Sequence, residues 1–239
     1  MSVPKGEIEL TRESIMDGSM RRWLASADPS MKVATDEEHV ASIAAMLKAR
    51  PDAPGDVWVF AYGSLIWNPT IHTAEQRCAD VRGYHRRFCL WTHLGRGSAD
   101  CPGLMLALER GGSCRGVAYR IAQAQAEHEL LILWRREMVT GAYRPRWVKA
   151  VTPEGPVAAI AFTMNAKHER YAGRLPEAQV AAVIARAEGA LGPCSKYLFS
   201  TVEHLRELGI RDHGMERLAR QVQARRQPPS DLGPPCPDE

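Results

Sequence analysis

Two hydrophobic periods divide this chain. Val57, Trp58, Val59 and Phe60 form a continuous apolar run of β-branched and aromatic residues, the composition of a strand covered on both faces. Tyr62, Gly63 and Ser64 interrupt it at once with a small, polar, glycine-containing turn. Further strands are predicted over Tyr84–Thr92, Leu104–Glu109 and Arg115–Ile121, the last two joined by a Gly111-Gly112 hairpin. Arg146–Val151 and Val157–Met164 make a second hairpin around Pro153, Glu154 and Gly155. Helical spacing governs Gln123–Met138 and the chain after Pro176, where apolar residues recur at Val180, Val183, Ile184 and Ala187. Two more helices are expected near Tyr197–Leu208 and Asp212–Arg225. Upstream, Thr11–Leu24 reads as one helix, and another opens at Thr35 or Asp36 with Glu37 and Glu38 in its first turn.

Strands followed by helices predict an α+β fold. The 239 residues, 45% of them hydrophobic, suffice for one full core with extensions. The expected boundaries are a helical extension and linker over 1–54, a main domain over 55–226, and a proline-rich tail over 227–239. That tail, QPPSDLGPPCPDE, has too few apolar residues to pack and is expected to be disordered.

Charge and cysteine usage remove several function classes. The net charge of +3 is spread in both signs, and the Arg-Arg pairs opening at Arg21, Arg86, Arg135 and Arg225 are scattered, so no nucleic-acid footprint emerges. Most of these pairs read as solvated faces. The N-terminus lacks a signal-peptide apolar region and no membrane-length apolar run occurs, which predicts a cytoplasmic protein without a membrane partner. Cys78, Cys89, Cys101, Cys114, Cys194 and Cys236 contain no C-x-x-C pair, and the eight histidines no H-E-x-x-H; reduced thiols, no metal and no cofactor are expected.

Within Gln123–Met138, Leu130, Leu133, Trp134 and Glu137 fall at i, i+3, i+4 and i+7, so a carboxylate shares the apolar stripe. Burial raises the pKa of such a group and suits it to acid–base work near neutrality. Periodicity alone favours a structural ion pair with Arg135, Arg136 or a more distant arginine. Backbone N–H groups at Tyr62, Gly63 and Ser64 are placed to meet an anion, with Gly63 free to take positive φ. Ser64 lacks the glycine flanks of a nucleophile elbow, having Tyr62 and Ile66 instead.

YGSLIWNP after the first strand, LWRREMVTGAYRPRWV (Leu133–Val148) and GPCSKYLFSTVEHLRELGI (Gly192–Ile210) occur in that order. Together they resemble three motifs of the ChaC branch of the γ-glutamylcyclotransferases, over roughly Val57 to Val222. The resemblance implies a small mixed β-barrel flanked by helices, and a lyase that cyclises the γ-glutamyl group of glutathione to 5-oxoproline, releasing cysteinylglycine. It also implies that Glu137 is the general base and acid, and that Val59, Phe60, Ala61, Tyr62, Gly63, Ser64, Leu65, Tyr143 and Tyr197 surround the substrate. The implied partner is a small γ-glutamyl compound. Departures are the long N-terminal extension, the proline-rich tail, and Ala61 where many relatives carry glycine. Two rival readings stand beside it: the same chemistry on other γ-glutamyl amino acids or amines, and a non-catalytic metabolite-binding barrel.

Overall fold

The first strand accounts for its apolar composition by being enclosed on every side. In the computed structural model, which describes residues 9–226, five strands form a closed barrel: β1 (Val57–Ala61), β2 (Glu75–Thr92), β3 (Gly103–Ile121), β4 (Tyr143–Thr152) and β5 (Gly155–Met164), in the order β1-β3-β2-β4-β5. β1 pairs antiparallel with β3, Val57 opposite Ile121, and parallel with β5, Trp58 opposite Ala159. Alternation then divides its side chains. Trp58, Phe60 and Tyr62 enter a core to which all five strands contribute, the barrel's inner face, whereas Val57, Val59 and Ala61 enter a second core beneath helices.

Helices close the barrel from two directions. On the outer core lie α1 (Arg12–Met16), α3 (Asp36–Lys48) and α4 (Ala126–Glu137), with Ile15, Ile43, Leu130, Leu133 and Trp134 buried there, while α2 (Ser19–Ala27) packs against α1. α5 (Glu177–Arg186), α6 (Cys194–Glu207) and α7 (His213–Arg226) supply Val180, Ile184, Leu198 and Val222 to the inner core. A short ribbon, β6 (Glu188–Gly189) with β7 (Gly192–Pro193), precedes α6. The small mixed barrel expected from the motifs is therefore present.

Two local expectations are corrected. Gly111 and Gly112 do not turn a hairpin: β3 runs unbroken past them, paired with a β2 that begins at Glu75 rather than Tyr84. Arg82 faces Ser113 and Tyr84 faces Arg110, so the glycine pair opposes Gly83 in a bulge. All three glycines have positive φ, which bends two long strands without ending their pairing. The Thr11–Leu24 pattern is also two helices, not one, broken where Gly18 takes φ 74° and leaves helical geometry. α3, by contrast, begins where its cap predicts. Thr35 Oγ1 accepts from Glu38 N at 3.2 Å and the Glu38 carboxylate accepts from Thr35 N at 2.8 Å, a reciprocal capping box. The proline-rich tail lies outside the described residues.

Candidate active site

α4 delivers Glu137 by its period. Leu130, Leu133 and Trp134 are fully buried, Trp134 packing edge-on against Phe162 with ring centroids 5.2 Å apart. Its indole N–H donates to Ser42 Oγ of α3 at 3.0 Å. One turn later Glu137 ends the helix with its side chain 14% exposed, facing a cavity of about 650 Å³, a volume in the range of small-molecule sites. Burial pushes its carboxyl above the ordinary value, partly offset by the charge and hydrogen bond of Arg136.

Arg136 joins the two halves of the site. Its side chain, 2% exposed, forms an ion pair with Glu137, Nε lying 2.9 Å from Oε1. Nη2 donates to Ser64 Oγ at 3.0 Å, and Nη1 to Thr70 Oγ1 at 3.1 Å and to the Asn68 carbonyl. One rigid guanidinium fork thus reaches the carboxylate and the loop after β1 together. Thr70, held at φ 57°, is the sole described non-glycine residue with positive φ, and its carbonyl also accepts from Arg12 at 3.1 Å.

The loop after β1 tightens into one 3-10 turn, Ser64–Ile66, with Ile66 N donating to Gly63 O at 2.9 Å. Gly63 does not use the positive φ that its type suggests; its φ is −141°. It is small because space is short. A Cβ there would lie 3.1 Å from the Tyr197 hydroxyl and 3.7 Å from Leu106. Gly63→Ala is therefore expected to be mild, while Gly63→Val overpacks the contact, loses about 1–3 kcal/mol of stability and raises KM by displacing the Tyr197 phenol. Wild-type KM and melting temperature in the valine variant would show that the contact is slack.

Three tyrosines complete the cavity. Tyr62 Oη donates to the Phe162 carbonyl at 2.7 Å and Tyr143 Oη to the Leu106 carbonyl at 2.8 Å. Their protons are committed, so each oxygen offers acceptor lone pairs. Tyr197 stands beside Ser64. Burial raises all three phenols and keeps them neutral.

Of the residues expected around a substrate, Tyr62, Gly63, Ser64, Leu65, Tyr143 and Tyr197 line this cavity with Glu137. Val59, Phe60 and Ala61 do not. They are wholly buried in β1 and hold the loop from behind. Sequence reasoning missed Arg136 as the link, having weighed it only as an ion-pair partner. It also missed Arg170 and a wall built by Met20, Trp23, Leu24, Met31 and Lys32. Among the described residues no cluster of three or more metal-ligating side chains occurs, and no helix is long and apolar enough to cross a membrane.

A family model described as ChaC-like protein matches residues 57–225. The glutathione-specific γ-glutamylcyclotransferase of Escherichia coli K12 is 41% identical over 210 residues, 87% of this chain and 90% of that protein. The mouse glutathione-specific γ-glutamylcyclotransferase 1 is 34% identical over 161 residues, 65% of this chain and 72% of that protein. A crystal structure of a glutathione-specific γ-glutamyl cyclotransferase from yeast superposes with a TM-score of 0.67 at 21% identity, covering 73% of this chain and 98% of that one, and shares its fold.

Proposed function

Because the chain belongs to the ChaC-like family, we propose that it is a glutathione-specific γ-glutamylcyclotransferase, forming 5-oxoproline and cysteinylglycine, with Glu137 as the proton shuttle. The observation that carries the assignment is a carboxylate raised by burial, lining a substrate-sized cavity and joined through its ion pair with Arg136 to the loop after β1.

In the reaction the α-amine of the γ-glutamyl group attacks its own γ-carbonyl carbon. A C–N bond closes the five-membered lactam, and the amide C–N bond to cysteine breaks. No protein nucleophile is required, and holding the two ends of one substrate together supplies much of the rate. Ser64 Oγ accordingly accepts from Arg136 rather than facing a general base. The amine arrives as an ammonium, for which the ionised Glu137 and the lone pairs of Tyr62 and Tyr143 are acceptors. Glu137 first takes a proton from the ammonium, freeing the lone pair that attacks, and gives it to the cysteine nitrogen as the amide C–N bond breaks; the second proton lost by the new lactam nitrogen follows the same route, so the amine departs as an ammonium. Ser64, backbone N–H groups at the turn and the Tyr197 hydroxyl are the donors for the γ-glutamyl carboxylate or the developing oxyanion. Cys78, Cys89, Cys101, Cys114 and Cys194 are free thiols, in keeping with a reducing, cytoplasmic setting.

Incubating the purified protein with glutathione should release 5-oxoproline and cysteinylglycine; absence of both rejects the assignment. The pH profile tests the shuttle. Glu137 must be ionised to act as base and its pKa is raised, so kcat/KM should fall on acidification along a limb centred above the ordinary carboxylate range. An acid limb centred at or below that range would assign the titration to another group.

A further inference from the structure

The family match begins at Val57, yet one wall of the cavity comes from the chain before it. Trp23 and Leu24 of α2, with Met31 and Lys32 of the loop that follows, line the same space as Glu137. Asp28 of this segment lines the same cavity as His93 and Leu94, which follow β2. The segment is fastened beside the catalytic helix. Ala34 N donates to Val139 O at 2.9 Å, and Arg135 donates to the Met16 carbonyl at 3.2 Å and to both carboxylate oxygens of Asp36.

The charges in the cavity are asymmetric. Among its lining lysine and arginine residues, Arg135 pairs with Asp36 and Arg136 with Glu137. Lys32 and Arg170 have no carboxylate in salt-bridge range among the described residues, Arg170 donating instead from Nε to the Trp91 carbonyl at 2.9 Å. Glutathione brings two carboxylates, one at each end. Arg170 lines the cavity with Tyr143 and Glu137 and is fixed to the Trp91 carbonyl of β2, on the side of the reacting end. Lys32 belongs to the exposed wall at the mouth.

We infer that the segment Trp23–Lys32 is the leaving-group subsite, in which Trp23 and Met31 pack against the cysteinylglycine portion and the Lys32 ammonium pairs with its terminal carboxylate. The inference rests on the cyclotransferase reading of the cavity and extends it to the part of the substrate that departs. The γ-glutamyl end is read by residues inside the family match, and the amine end by residues outside it. In this chain the extension would then add to selectivity for glutathione, since a cation placed for one carboxylate discriminates against substrates without it.

The test compares glutathione with its glycine-amide analogue, which differs only in the terminal carboxylate. The unsubstituted protein should favour glutathione in kcat/KM by about fivefold, the scale of a partly exposed ion pair. Lys32→Met should bring that ratio toward one, chiefly through KM, and because Lys32 is exposed the variant should fold normally. Trp23→Ala should raise KM for both substrates with a smaller effect on kcat. A preference for glutathione that survives Lys32→Met overturns the carboxylate assignment. Unchanged KM in Trp23→Ala, or equal loss of kcat in step with melting temperature, makes the wall structural and overturns the subsite. If the unsubstituted protein forms 5-oxoproline from neither substrate, the underlying cyclotransferase reading falls first and this inference with it.

Discussion

Glu137→Gln is expected to lower the rate of 5-oxoproline formation by roughly 10²- to 10⁴-fold without lowering the melting temperature. Glutamine keeps the shape but cannot exchange a proton with either amine. A structural ion pair would behave differently, because removing one partner of a buried pair strands the other at a cost of about 3–5 kcal/mol. Arg136 is not stranded by this change. It retains Ser64 Oγ, Thr70 Oγ1 and the Asn68 carbonyl as acceptors. Since the carboxyl pKa is raised in the folded state, its stabilising contribution is complete in acid and is lost as pH rises through the folded value. The glutamine variant should therefore match the wild type at low pH and equal or exceed it near neutrality. Rates and melting curves on one preparation decide the matter. A stable variant with near wild-type turnover would remove Glu137 from the mechanism.

Arg12→Met should produce the largest loss of stability, about 3–5 kcal/mol, which for a domain of this size is a fall of roughly 6 to 20 °C in melting temperature. Arg12 grips Glu129 with both terminal nitrogens, at 2.6 and 2.7 Å, and the Glu129 side chain is 2% exposed. Burial alone would raise the Glu129 carboxyl, but Arg12 and the His72 amide, at 2.9 Å, hold it below the ordinary value. Without Arg12 a buried carboxylate keeps one backbone donor. A depressed carboxyl stabilises above its unfolded pKa and loses that contribution as pH falls through the folded one, so wild-type stability should drop in acid more steeply than that of Arg12→Met with Glu129→Gln. The double variant should also recover part of the single variant's loss. A single variant within about 1 kcal/mol of wild type, as for an exposed pair, would mean that the helices before β1 are loosely attached.

How far the sequence reached depended on the range of the interaction concerned. β1 was legible because its composition reports burial on both faces, and α4 because a 3.6-residue period places Glu137 beneath Leu130, Leu133 and Trp134 whatever the surroundings. The order of the three motifs carried the barrel and the chemistry. Gly111 and Gly112 misled because a bulge and a hairpin use the same backbone conformation; only the partner opposite, Gly83, distinguishes them. Gly63 lacks the positive φ that its type suggests, and its small size answers instead to a phenol from α6. The remaining features arise between residues far apart in the chain. Arg136 meets Ser64 across 72 residues and Arg12 meets Glu129 across 117, and α2 reaches the cavity only because α1 and α3 dock against α4. Local pattern determines which face of an element is buried. Which charged groups share a cavity is decided by how the closed barrel brings its ends and the preceding helices together, and no periodicity along the chain encodes that convergence.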